Sequence, residues 1–236
     1  MPAPNITRWI GIGLLGLPLY GALTFWSSLD PQPDPSTHLE AWSRFVTTDY
    51  YVLGHLFGSI LGLVFAIFGV FALGAHLATS RAVRMGLVAM VVTVLGSALF
   101  LPLQGVSAFS APQDGQAYLA GIEELFKLPG IFADTVFGLT GLLVIVLQFV
   151  GNILLGVAVW RSETLPKWAG ALWAGAHVLM YLSLVYAQTI GPASTPFTVP
   201  LGAVLVMISG AWMAYSVLRR PSSAQAVSVQ AQPSVQ

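Results

Sequence analysis

The stretch that decides the fold is GHLFGSILGLVFAIFGVFALGAHLA, residues 54–78, which contains no Asp, Glu, Lys or Arg. A helix needs about 20 mostly apolar residues to cross the hydrocarbon core of a bilayer. The whole chain of 236 residues is 56% hydrophobic and 8% charged, whereas a soluble domain carries about 25% charged residues. The sequence therefore predicts an integral membrane protein.

Further apolar windows of this length surround the opening stretch. The six windows cover about residues 9–28, 51–78, 85–109, 133–160, 168–190 and 197–218. A membrane β-barrel would instead show alternating segments of about 10 residues, so these continuous runs favour helices. We expect an all-α polytopic fold in which residues 1–220 form a single domain of six transmembrane helices. The low-complexity segment 221–236 is typical of a disordered cytoplasmic tail.

The basic residues indicate the orientation of these helices. With the N-terminus inside, the inner segments hold seven basic residues: Arg8, Arg81, Arg84, Arg161, Lys167, Arg219 and Arg220. The outer segments hold only Arg44 and Lys127. Basic residues favour the cytoplasmic side of a membrane. We therefore expect a multi-pass protein of the inner (plasma) membrane, with both termini in the cytoplasm and the lipid bilayer as its principal partner.

Two outer segments have the pattern of short amphipathic helices at the membrane interface. In residues 30–49, Thr37 and Glu40 have the spacing of a capping box. In residues 112–130, Asp114 is placed to cap a second short helix. The two helices are interpreted either as a lid over an outward-opening site or as interfacial connectors, which need only one face toward water and one toward the membrane.

The second apolar window carries both small residues and histidines. Small residues recur every four positions, a pattern that brings two membrane helices close together: Gly54, Gly58, Gly62 and Ala66. His55 and His76 are about 30 Å apart along a helix, so they cannot share one metal ion or one haem. They are interpreted as interfacial or packing residues, and the sequence predicts no cofactor and no metal site.

The fourth and fifth windows carry the strongest candidate for a functional site. Asp134, Gln148 and Asn152 lie on one stripe of the fourth helix, and His177 and Tyr181 lie on one stripe of the fifth. The helical rise places Gln148, Asn152 and His177 at similar depth in the bilayer, where polar groups must bond to one another or to trapped water. The hypothesis is a polar intramembrane site with Asp134 at its outer mouth, and interhelical hydrogen bonding is the alternative.

Two segments resemble a known set of proteins. They are EAWSRF…GHLFGSILG, residues 40–62, and LGVAVWRSETLPKWAGALWAG, residues 155–175. A Trp upstream of a His-Leu pair (Trp42 and His55–Leu56) and an LPxWAG step (Leu165–Gly170) resemble uncharacterised six-helix membrane proteins of actinobacteria and other bacteria. That set has no established activity, so the resemblance implies an architecture and no chemistry.

Composition narrows the functional classes. The chain has no cysteine, which excludes disulfides, thiolate metal sites and c-type haem attachment, and its net charge of zero gives no sign of nucleic-acid binding.

We expect an accessory, non-enzymatic membrane protein. The first alternative is a small transporter or permease with a polar site between helices four and five, alone or as a homo-oligomer or part of a membrane complex. The second is a membrane enzyme acting on a lipid or isoprenoid, and a haem or quinone protein is the third.

Overall fold

The computed structural model describes residues 6–30, 32–122, 135–190 and 197–219, without the side chains of 184–190. Within these ranges the chain is helical and contains no strand. The helices are α1 (Ile6–Leu14), α2 (Gly16–Ser27), α3 (Leu39–Val46), α4 (Asp49–Leu53), a π-helix (Gly54–Leu61), α5 (Gly62–Leu77), α6 (Val83–Leu119), α7 (Thr135–Arg161), α8 (Lys167–Ile190) and α9 (Thr198–Leu218). The segment 221–236, predicted to be a disordered tail, lies outside the described residues.

Five helical stretches in the described part of the chain are long and apolar enough to cross a membrane: Ile6–Ser27, Asp49–Leu77, Val83–Leu119, Thr135–Arg161 and Thr198–Leu218. They correspond to five of the six windows. The remaining window, 168–190, forms α8, which packs against both α7 and α9. The apolar helices are those of a membrane-embedded protein, while the sixth span and the orientation stay predictions.

The long helices form a ring in the order of the sequence. The first stretch, α1 and α2, packs against α5; α5 packs against α6, and each later helix packs against the next as far as α9. The ring closes because α9 packs back against α1 and α2. Gly21 allows this closure, since a Cβ atom there would approach the backbone nitrogen of Met207 to 2.7 Å.

The two ends of the ring differ in charge. At one end, Arg81 pairs with Glu163 at 2.7 Å, and this basic end also carries the first turn of α1 and the last turn of α9. The interior next to it is filled by apolar side chains from all six long helical stretches, including Leu14, Leu73, Leu155 and Met213. The opposite, acidic end carries α3 and α4 and the loop before them. The basic half of the interior is therefore closed by a packed core.

The four-residue spacing of small residues in the second span marks a close contact at only part of its length. A Cβ atom at Gly58 would overlap the side chain of Ser27 on α2, whereas one at Gly62 would come no closer than 3.6 Å to Leu23. The π-helix Gly54–Leu61 has more residues per turn than an α-helix. Gly54, Gly58 and Gly62 nevertheless all face α2, since the nearest side chains to them belong to Ser27, Leu23 and Tyr20.

The predicted pair of short outer helices needs correction. The first exists as α3, but Thr37 does not cap it: its hydroxyl bonds the Asp34 carboxylate, and no side chain caps the helix. The second predicted helix, in residues 112–130, is wrong for residues 112–119. These residues form the end of α6, and Asp114 lies inside that helix. α6 continues through Pro102 and Pro112. Packing against neighbouring helices stabilises it, for example where Gly115 contacts α3.

Candidate functional site

Three side chains from α7 and α8 form a hydrogen-bonded group inside the ring. Asn152 donates its amide N–H to the backbone oxygen of Gln148 at 2.8 Å and to its side-chain oxygen at 3.3 Å. Trp173 donates its indole N–H to the Asn152 side-chain oxygen at 3.2 Å. All three are buried. Gln148 and Asn152 of the predicted stripe thus face the interior, and Trp173 joins them to α8.

His177 lies one turn beyond this tryptophan. Its Nδ1 atom is 2.8 Å from the backbone oxygen of Trp173, and its ring lies 4.7 Å from the indole. A carbonyl oxygen can only accept, so Nδ1 carries the proton and Nε2 is left as an acceptor in the neutral ring. Within the described part of the chain no direct hydrogen bond joins His177 to Gln148 or Asn152.

Tyr181, another predicted site residue, does not join this group. Tyr181 packs edge-to-face against Phe149 of α7 with ring centres 5.6 Å apart. It does not line the cavity shared by Gln148, Asn152 and His177. Asp134 lies outside the described residues.

Two hydroxyl groups of α6 complete the group, and sequence analysis missed both. Ser97 donates to the Gln148 side-chain oxygen at 3.4 Å. The buried hydroxyl of Thr93 has no hydrogen-bond partner among the described residues, and it faces the same cavity of about 10 Å³. A space of this size holds about one water molecule. We call Thr93, Ser97, Gln148, Asn152, Trp173 and His177 the interior cluster.

A second, larger cavity opens at the acidic end. It measures about 310 Å³, and its walls come from α2 and the loop after it, from α3, α4, the π-helix and the start of α5, and from α6, α8 and α9. Its lining is mainly polar or aromatic and includes Tyr20, Ser27, Ser28, Asp30, Gln32, Phe45, Tyr50, Tyr51, His55, Ser59, Phe100 and Gln104. Sequence analysis missed it because its walls come from segments that are far apart in the sequence.

His55 lies on the wall of this acidic-end cavity. Its Nδ1 atom is 3.0 Å from the backbone oxygen of Tyr51, and its ring lies 4.1 Å from the tyrosine ring. The bond to backbone agrees with the expectation of a packing residue. The cavity beside the His55 ring was not expected, because the sequence analysis considered His55 only as a possible partner of the other histidines.

The two cavities lie one behind the other. Tyr20 of α2 and Leu63 of α5 line both of them. Beyond the interior cluster, toward the basic end, the ring is filled by the apolar core. The interior cluster therefore lies between the acidic-end cavity and the apolar core.

The described residues contain no group of three or more His, Cys, Asp or Glu side chains that could hold a metal ion. Comparisons of the chain with protein-family models, with curated proteins and with solved structures found no match. The two cavities and the residues that line them are therefore the candidate functional features of the chain.

Proposed function

We propose that this chain is a six-span protein of the plasma membrane that binds a small molecule in its acidic-end cavity, in an accessory and non-enzymatic role. Both termini are cytoplasmic in this proposal, so the cavity opens to the outside. The cavity itself is the observation that supports binding. Its volume of about 310 Å³ falls at the lower end of the range for small-molecule sites.

The local backbone supports the same proposal. The cavity is bordered by Gly54, His55, Gly58 and Ser59, all of which belong to the π-helix. A π-helix is a rare departure from α-helical geometry and is frequently found at functional sites. Here it places the His55 ring on the cavity wall while Gly58 approaches α2.

The distribution of charge supports the orientation. In the described residues the basic end carries Arg8, Arg81, Arg84, Arg161, Lys167 and Arg219, with Glu163 as its one carboxylate. The only basic residue described at the acidic end is Arg44, which pairs with Glu40 at 2.8 Å. Because basic residues favour the cytoplasmic side, the cavity would face outward.

A blocking substitution tests the binding proposal. Ser59→Phe adds a ring on the cavity wall, whereas Val88→Phe makes a comparable addition at an exposed position on α6. The full chain is purified in mild detergent and measured by native mass spectrometry. We expect a small molecule to co-purify with the wild type and with Val88→Phe, and to be lost from Ser59→Phe. Equal occupancy of all three proteins, or none in the wild type, would contradict the proposal.

The stacked cavities favour a transporter as the second candidate. A carrier needs a polar path, and the shared residues Tyr20 and Leu63 connect the outer cavity to the interior cluster. Proteoliposomes preloaded with the identified co-purifying molecule distinguish the two functions. A carrier exchanges isotope-labelled molecule across the membrane and loses exchange in His177→Gln. A binding protein shows no exchange, although it retains the molecule.

A further inference from the structure

We propose that the ligand of the acidic-end cavity is a small protonated amine. The inference builds on the proposed function, because it names the chemical class of the molecule bound there. Three features of the cavity support it: the direction of its hydrogen bonds, the sign of the charge around it, and its aromatic walls.

Four hydroxyl groups on the cavity wall already donate their hydrogen bonds to backbone oxygens. Tyr50 donates its hydroxyl to the backbone oxygen of Trp26 at 3.0 Å, and Tyr51 donates to that of Ser107 at 3.1 Å. Ser27 and Ser28 donate theirs to backbone oxygens of α2, at 3.1 Å and 2.9 Å.

A hydroxyl group has one proton to donate and two lone pairs. After these bonds, the two tyrosines and two serines can offer a ligand only acceptor oxygens. His55 follows the same rule, because its Nδ1 proton is directed to the Tyr51 backbone oxygen and its Nε2 is left as an acceptor. Tyr20, Thr24, Ser59, Gln32 and Gln104 can donate as well as accept. The same wall holds the groups left only with acceptor atoms, and these include the Asp30 carboxylate. It therefore suits a ligand that donates several hydrogen bonds, as an –NH₃⁺ group does.

The charge around the cavity has the matching sign. Asp30 is the only charged residue among the described lining residues, and it is exposed at the cavity's edge. The described part of the acidic end adds four further carboxylates, Asp34, Glu40, Asp49 and Asp114, against the single Arg44. A surface with one predominant sign concentrates ligands of the opposite sign.

Aromatic rings supply the remaining wall. Tyr20, Phe45, Tyr50, Tyr51 and Phe100 all line the cavity. Aromatic faces attract cations and also bury the apolar part of an organic ligand. An amine with a short apolar group can contact all three features. Its ammonium group meets the acceptors and the carboxylate, and its apolar part packs on the rings.

The test uses three probes of similar size on the full-length protein in detergent, measured by isothermal titration calorimetry. The probes are 2-phenylethylamine, 2-phenylethanol and phenylacetate, which carry a positive, a neutral and a negative group. We expect the amine to bind about tenfold more tightly than the alcohol, since a charge-assisted hydrogen bond is stronger than a neutral one. We expect no binding of phenylacetate.

Two substitutions assign the charge recognition to one carboxylate. Asp30→Asn should weaken amine binding about fivefold, as expected for an accessible ion pair. Asp49→Asn removes an exposed carboxylate at the same end that does not line the cavity, and it should leave affinity unchanged. Equal loss in both variants, or in neither, would contradict the role of Asp30.

A competition experiment separates a free amine from a lipid headgroup. Ethanolamine and glycerophosphoethanolamine share the ammonium group, but only the second carries a phosphate. Because no Lys or Arg is among the described lining residues, ethanolamine should compete better against 2-phenylethylamine. Equal competition would contradict a free amine as the ligand.

The failure of this inference can be distinguished from failure of the proposed function. If 2-phenylethanol binds as tightly as the amine and Ser59→Phe abolishes both, the cavity binds small molecules without selecting cations, and only the amine inference is wrong. If no probe binds, the amine inference is also wrong. Native mass spectrometry of Ser59→Phe then decides separately whether the cavity is occupied.

Discussion

Trp173 donates its indole N–H to the side-chain oxygen of Asn152 across 3.2 Å, and this bond joins α8 to α7 in the interior of the ring. Both residues are almost fully buried, at 1% and 3% exposure. The same asparagine also bonds back to Gln148. The amide of Asn152 is therefore fixed from both sides and is the centre of the interior cluster.

Removing the indole donor should weaken the contact between the two helices. Trp173→Phe leaves the Asn152 oxygen buried without its donor, a loss of about 1–3 kcal/mol in the free energy of unfolding. Trp212→Phe is the matched control, because Trp212 is 40% exposed and should cost little. Reversible unfolding in mixed micelles measures both.

A double-mutant cycle isolates this bond. Combining Trp173→Phe with Asn152→Ala should give a coupling energy of about 1–1.7 kcal/mol, at the upper end of the values found for interhelical bonds in membranes. Additive effects of the two substitutions would show that the bond contributes nothing to stability.

Substitution by alanine at two helix glycines, Gly58 and Gly175, should change the free energy of unfolding in opposite directions. A Cβ atom at Gly58 would overlap Ser27, whereas one at Gly175 of α8 would meet nothing within 4 Å. Gly58→Ala should lower the free energy of unfolding by about 1–3 kcal/mol through overpacking. Gly175→Ala should raise it by up to about 1 kcal/mol, the difference in helix propensity. Thermal unfolding in detergent compares them, and equal shifts would place Gly58 outside the contact with α2.

The turn before α3 should depend on pH through Asp34. Its carboxylate accepts the Ser36 hydroxyl at 2.7 Å and the Ser36 backbone N–H at 2.9 Å. Both bonds hold the pKa of Asp34 below its usual value, and the bond from the Ser36 hydroxyl has the larger effect. Since the folded pKa is the lower one, the stabilisation is complete above the unfolded value of about 3.9. It is lost as the pH falls through the folded value.

An NMR titration of the Asp34 carboxyl carbon measures this shift. We expect a midpoint below about 3.9 in the wild type, and a higher one in Ser36→Ala, which keeps the backbone bond but loses the hydroxyl. A wild-type midpoint at or above the usual value would contradict the hydrogen-bonded turn.

The interior cluster was partly predictable because α7 is a regular helix. Its spacing of 3.6 residues per turn placed Gln148 and Asn152 on one face, and the helical rise matched their depth to His177. Thr93 and Ser97 were missed because hydroxyl groups are common in membrane helices, where they can bond to their own backbone. Their contribution depends on which face α6 turns inward, and a single sequence does not encode that directly.

The acidic-end cavity was not predictable from any one segment. Tyr50, Ser28 and Gln104 come from a short helix, a helix end and a long helix, and only the folded ring brings them together. The boundary of α6 was missed in a similar way. The apolar window ends near residue 109, but packing against α3 carries the helix on to Leu119.

The most direct test of the account is the reactivity of Ser59→Cys in intact cells, because the natural chain has no cysteine. Two impermeant thiol reagents are compared, trimethylammonioethyl and sulfonatoethyl methanethiosulfonate, with each rate normalised to its rate with a free thiol in solution. The account predicts reaction from outside the cell, about tenfold faster for the cationic reagent, and no reaction of Thr79→Cys at the basic end. Reaction of Ser59→Cys only in inside-out vesicles, or a faster anionic reagent, would contradict an outward cavity that selects cations.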